Sequence, residues 1–158
     1  MTSKFNTIFS KEKLLPNSIL IFFDATSPEN VKIVNQWLRK HKEIFSKTRI
    51  IGIEAKNTEP KATTFPIIGK KDLTWYNMIK PDAVQRIMPD FIPDYLMVLH
   101  KKPLRAIDAL VQAIPANLKI SHQPILKTAY NIILDRNGKD WNVLFAEYDA
   151  LMPKVEFA

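Results

Sequence analysis

The sequence predicts an α/β fold of three layers: a mainly parallel, open sheet of five or six strands with helices on both faces, Rossmann-like or flavodoxin-like. Three observations carry that expectation. Short β-branched and aromatic runs alternate with stretches of helical period, the pattern of β–α repeats feeding one parallel sheet. The first run, Ser18-Ile-Leu-Ile-Phe-Phe23, is apolar at consecutive positions, as a strand covered on both faces requires. The stretch 93–122 reads as strand, basic turn, amphipathic helix and strand, one complete βαβ unit.

Taken in order, residues 1–17 are polar and lysine-bearing without a sustained period, and are expected to form an arm or edge segment of a single domain spanning 1–158. The first strand closes on Asp24. Ser27-Pro28-Glu29 then supplies a side-chain cap, a proline at the first helical position and an acid in the first turn, so a helix starts there. Its apolar stripe is Val31, Val34, Trp37, Leu38, His41, Ile44 and Phe45. Arg49 to Ile53 is a second strand ending at Glu54, and Lys56 to Thr64 a polar connection. Phe65 to Gly69 reads as a short third strand, placed at an edge because Pro66 cannot donate to a ladder. Lys70 to Trp75 reads as irregular.

Pro81-Asp82 opens a helix that runs through Ile87 and closes at Pro89. Tyr95 to Leu99 is the fourth strand, and Leu104, Ile107, Leu110, Val111 and Ile114 form the buried face of the helix after it. Leu118 to Ser121 and Ile132 to Leu134 are further short strands. Asp140 is expected to cap a terminal helix carrying Trp141, Leu144, Phe145, Tyr148 and Met152 on one face.

Composition narrows the function classes. With 158 residues, 46% hydrophobic and 25% charged, the chain can bury a sizeable core without staples. It has no cysteine, which excludes disulfides, thiolate zinc sites, iron–sulfur clusters and cysteine nucleophiles. No apolar run is long enough for a membrane span, and Met1 is followed by no signal-type apolar region, so a cytoplasmic location and no membrane partner are expected. The three glycines, Gly52, Gly69 and Gly138, all lie away from the first strand–helix turn. A dinucleotide fingerprint or a P-loop needs glycines at that turn so that backbone can wrap phosphate; neither is present, and no cofactor is expected.

The formal charge of +7 is partly local, because Lys101, Lys102, Arg105, Lys119 and Lys127 face only Asp108 between residues 100 and 127. The turn His100-Lys101-Lys102-Pro103-Leu104-Arg105 follows a strand and opens a helix, the position at which open α/β sheets bind ligands and a helix amino terminus favours anions. Lys101, Lys102 and Arg105 are therefore the candidate anion contacts. The competing account is a solvated turn in which Arg105 pairs with Asp108 one helical turn later.

Asp24 and His100 are candidate acid/base groups, with the alternative for Asp24 that it orders its own turn. His100 and His122 flank one helix, but no ligand spacing supports a metal, and none is expected. His41, Trp37, Trp75, Trp141 and Tyr148 read as packing residues, and no Gly-x-Ser-x-Gly elbow offers a nucleophile.

Two resemblances add context. The segments Phe65-Pro-Ile-Ile-Gly-Lys-Lys-Asp-Leu-Thr-Trp75, Lys80-Pro81, Pro93 to Leu99 and Pro103-Leu104-Arg105 resemble a small uncharacterised α/β family found mainly in Bacteroidetes, which implies a one-domain intracellular protein. Asp94-Tyr-Leu-Met-Val-Leu-His-x-x-Pro-Leu-Arg105 is similar to part of the amino-terminal half of heptosyltransferase-type (GT-B) glycosyltransferases. That likeness implies the fold; the chain lacks the second half and the early glycines that glycosyl transfer uses.

The expectation is a binding or regulatory module whose crevice accepts a phosphate-bearing small molecule. The alternative is a small enzyme on a phosphorylated or sugar-derived substrate, and nucleic-acid binding, unsupported by an aromatic–basic surface motif, ranks third. Oligomeric state is not legible.

Overall fold

A computed structural model describes residues 18–54, 65–76, 78–99, 104–122, 124–134, 145, 146 and 149. The expected arm, His100 to Pro103, Trp141 and Tyr148 lie outside the described residues.

The strands are β1 (Ser18–Asp24), β2 (Lys47–Ile53), β3 (Ile67–Ile68), β4 (Tyr95–Leu99), β5 (Leu118–His122) and β6 (Ile132–Leu134). They form one six-stranded sheet in the order β3-β2-β1-β4-β5-β6, with every pair parallel. Three helices are described in full: α1 (Pro28–Lys40), α2 (Pro81–Ile87) and α3 (Arg105–Ala113). The three-layer α/β expectation holds, and the short β3 sits at an edge as Pro66 demands.

β1 is central because its side chains satisfy two cores at once. Ile19, Ile21 and Phe23 face a core completed by Val34 and Trp37 of α1, Phe45, and Phe145 from the carboxyl-terminal segment. Leu20 and Phe22 face the other, which holds Ile87 of α2 and Ile107 and Val111 of α3. Alternation along one strand thus builds both outer layers.

α1 begins where Ser27 Oγ accepts a hydrogen bond from Glu29 N at 3.2 Å, with Pro28 at the first helical position. It ends at Lys40, so the end of the expected stripe falls in the following turn, which buries Phe45 and leaves Ile44 exposed. Trp37 stacks on Phe145 at 4.7 Å, and its indole N–H donates to Asp149 at 3.1 Å. His41 is a buried packing residue, as expected, with its ring 3.0 Å from the Asp149 carboxylate.

Trp75 corrects an expectation. It is 93% exposed and Tyr76 beside it 58%, so neither packs under a loop. The cause is local: Thr74 N donates to Met78 O at 2.7 Å and Met78 N to Thr74 Oγ1 at 3.0 Å, closing a turn that aims its tip outward. Below the tip, the Lys70–Asp72 segment is a 3-10 turn rather than irregular chain, tied by Gly69 N donating to Asp72 at 2.9 Å.

Candidate functional site

The strand order places a topological switch point between β1 and β4: from β1 the chain proceeds to β2 and β3 on one side and to β4, β5 and β6 on the other. α1 and α3, the helices that follow these two strands, pack on opposite faces of the sheet, and the carboxyl edge at such a switch point is where open α/β sheets place a ligand crevice. Phe23 pairs with Leu99, so Asp24 ends β1 beside the point where the β4–α3 connection begins. Of the residues expected there, Asp24 and Arg105 are described, whereas His100, Lys101 and Lys102 lie outside the described residues.

The α1 wall of this crevice is self-contained. Asp24 Oδ1 accepts from Thr26 N at 2.9 Å, and the Asp24 carbonyl accepts from the Asn30 amide at 3.1 Å. Ala25 N donates to Ile53 O at 3.0 Å, drawing the turn onto β2. Gly52 permits that approach: a Cβ on it would meet the Ala25 methyl at 2.7 Å and the Phe65 ring at 2.9 Å. With one amide taken by Asp24, another by Ser27, a proline at the first helical position and Glu29 in the first turn, this helix end offers no anion cradle. Asp24 does the turn-ordering work that its position allowed, and its partly buried carboxylate stays at the edge of the crevice.

The α3 wall is different. Arg105 is the first helical residue and exposed, and the residue before it, Leu104, supplies no side-chain cap. The Arg105–Asp108 pair of the competing account does not form. Asp108 is 0% exposed and turned into the core, where its carboxylate accepts from Ile125 N at 2.8 Å, Leu126 N at 3.0 Å and the Tyr130 hydroxyl at 2.6 Å. Burial, then the hydrogen bond to Asp108, pushes the Tyr130 hydroxyl pKa up. Among the described residues Arg105 has no ion-pair partner.

Lys119 leaves the basic cluster. At the opposite end of α3 its ammonium donates to Val111 O at 2.8 Å and Gln112 O at 3.4 Å, capping the helix carboxyl terminus, and burial lowers its pKa. Asp94 is likewise structural: its backbone N–H donates to Ser18 Oγ at 2.8 Å, tying β1 to β4 at the amino edge.

His122 ends β5 buried, and no group of three or more potential metal ligands occurs among the described residues. Sequence reasoning missed the inward role of Asp108. The signal was its position: Asp108 lies four residues after Leu104 and three before Val111, inside the apolar stripe.

The chain belongs to DUF6913, a family of unknown function whose model matches residues 4–151. No curated protein and no solved structure matches it.

Proposed function

We propose that the chain, as a member of this family, is a binding or regulatory module that accepts a phosphate-bearing small molecule in the crevice between β1 and β4, with Lys101, Lys102 and Arg105 as its anion contacts. The observation that carries the reading is the release of Arg105: it opens α3 at the switch point while its nearest acid on the helix, Asp108, is spent inside the core. A guanidinium there favours an anion by charge and by paired N–H donors, and the positive end of the helix dipole adds to it. The acidic α1 wall, Asp24 and Glu29, directs the anionic group toward α3 and favours hydroxyl or amine groups on its own side.

Calorimetric titration with pyrophosphate, nucleoside phosphates and sugar phosphates tests this. Saturable binding that Lys101→Ala/Lys102→Ala/Arg105→Ala weakens at least tenfold is the expected result. Unchanged affinity in the triple variant removes the site. Binding only to polynucleotide, falling steeply with salt, replaces the reading by a nucleic-acid one.

A second reading is a small enzyme on a phosphorylated or sugar-derived substrate, with Asp24 and His100 as acid/base groups. It rests on Asp24 standing next to the end of β4. Asp24→Asn keeps the oxygen that accepts from Thr26 N, so lost turnover with retained binding would establish it, and turnover unaffected by that change would exclude it.

A further inference from the structure

The exposed aromatic tip after β3 has no part in the crevice chemistry. Trp75 is 93% exposed, Tyr76 58% and Met78 40%, and they occupy one turn rather than scattered positions. Isolated apolar residues on a surface are ordinary, but adjacent ones at a single tip mark a contact. The tip is also built. Leu73 and Ile79 bridge across its base, Lys80 N donates to Asp72 O at 2.8 Å, and the Thr74–Met78 pair closes it. Beneath, Asp72 is buried and held by Arg86 at 3.2 Å and by Gly69 N. An ion pair between a buried carboxylate and a half-exposed guanidinium thus braces a turn that presents indole, phenol and thioether to water.

We propose that this turn docks the protein on an anionic lipid surface, with Trp75, Tyr76 and Met78 entering the headgroup boundary and Lys70, Lys71 and Lys80 facing lipid phosphates. Charge complementarity selects this occupant. The three lysines are exposed and flank the tip on both sides, and no acid lies between Leu73 and Pro81. Indole and phenol rings combine an apolar body with a polar edge, which suits them to the membrane interface, and nearby lysines add attraction to anionic headgroups.

The other partners fit less well. A specific protein interface buries about 800 Å² per partner, and a tip of three apolar side chains rimmed by lysine falls short of that core. Stacking of successive bases needs aromatic faces presented alongside one another, whereas Trp75 and Tyr76 meet edge to face at 86°. Among the described residues no helix is long and apolar enough to cross a membrane, so the contact is peripheral.

The test is co-sedimentation of the full chain with phosphatidylcholine vesicles with and without phosphatidylserine, repeated for Trp75→Ala/Tyr76→Ala and for Lys70→Ser/Lys71→Ser/Lys80→Ser. Binding to the phosphatidylserine vesicles is expected, lowered roughly tenfold by the aromatic variant and roughly fivefold per lysine lost in the other. Both aromatic side chains are largely exposed, so an unchanged unfolding temperature is expected for that variant and separates docking from folding. No binding by the folded parent, binding indifferent to Trp75 and Tyr76, or capture of oligonucleotide but not vesicles would each overturn the proposal.

Discussion

Removing the Asp108 carboxylate should cost more stability than any exposed substitution in the chain. Asp108→Ala strips the acceptor from Ile125 N, Leu126 N and the Tyr130 hydroxyl together, and leaves the hydroxyl inside the core without that acceptor. A hydrogen bond to a charged group contributes about 1.5–3 kcal/mol, and the relief of burying that charge offsets part of the sum, so the net loss should be about 3–4 kcal/mol. For a chain of this length that is roughly 6–16 °C in unfolding temperature. Tyr130→Phe removes the 2.6 Å bond and the hydroxyl's contact with Ser121 but leaves Asp108 its two amide donors, and should cost about 1–2 kcal/mol. The decisive assay is denaturant unfolding combined with amide hydrogen exchange: Ile125 and Leu126 should lose protection in Asp108→Ala and keep it in Tyr130→Phe. If Asp108→Ala stays within about 1 kcal/mol of the parent, or Tyr130→Phe is equally costly, the three-bond account is wrong.

Two further outcomes follow from packing and titration. Burial works to raise the Asp72 pKa, but the Arg86 and Gly69 hydrogen bonds and the Arg86 and Lys71 charges outweigh it and hold the carboxyl below its ordinary value. A depressed folded-state pKa stabilises above the unfolded value of ~3.9 and ceases to do so as pH falls through the folded value. Asp72→Asn should therefore lower the urea midpoint at neutral pH by the equivalent of about 1–2 kcal/mol, discounted for a half-exposed Arg86, and the gap should close in acid; a gap independent of pH would remove the ion pair as its cause. Gly52→Ala places a methyl 2.7 Å from that of Ala25 and should destabilise by about 1–3 kcal/mol, read by thermal unfolding. Gly69, extended and with nothing within 4 Å of an added Cβ, should gain about 0.5 kcal/mol on the same change, and equal effects at the two glycines would refute the steric reading.

The residues show why the fold was legible and parts of the site were not. Consecutive burial of Ser18 to Phe23 is written in one apolar run, and Ser27-Pro28 and Pro81-Asp82 announce their helices by chemistry that acts within four residues. Strand order has no such local signal, because it depends on which edges meet after the helices have packed. Arg105 and Asp108 look like an exposed pair by spacing alone, and only the return of residues 125–130 decides which way Asp108 turns. Trp75 misleads for a related reason. An apolar cluster in a connection reads as packing, but the Leu73–Ile79 bridge takes up the inner positions and leaves the tip outside.

The switch point also explains how a Rossmann-like strand order can persist without the glycines of a dinucleotide site. Those glycines let backbone approach phosphate at the turn after the first strand; in this chain the glycine is on β2 instead, at Gly52, where it lets the turn approach the sheet. The Ala25 methyl occupies the space that Gly52 vacates, Asp24 and Ser27 each take an amide of the turn, and Glu29 opposes the positive end of the helix dipole. The α1 end is thus closed by its own hydrogen bonds, whereas at α3 Asp108 faces inward and Arg105 has no ion pair among the described residues. The two sides of the switch point thus differ in charge: Asp24 and Glu29 lie on one, tied into their own hydrogen bonds, and Arg105 opens the helix on the other.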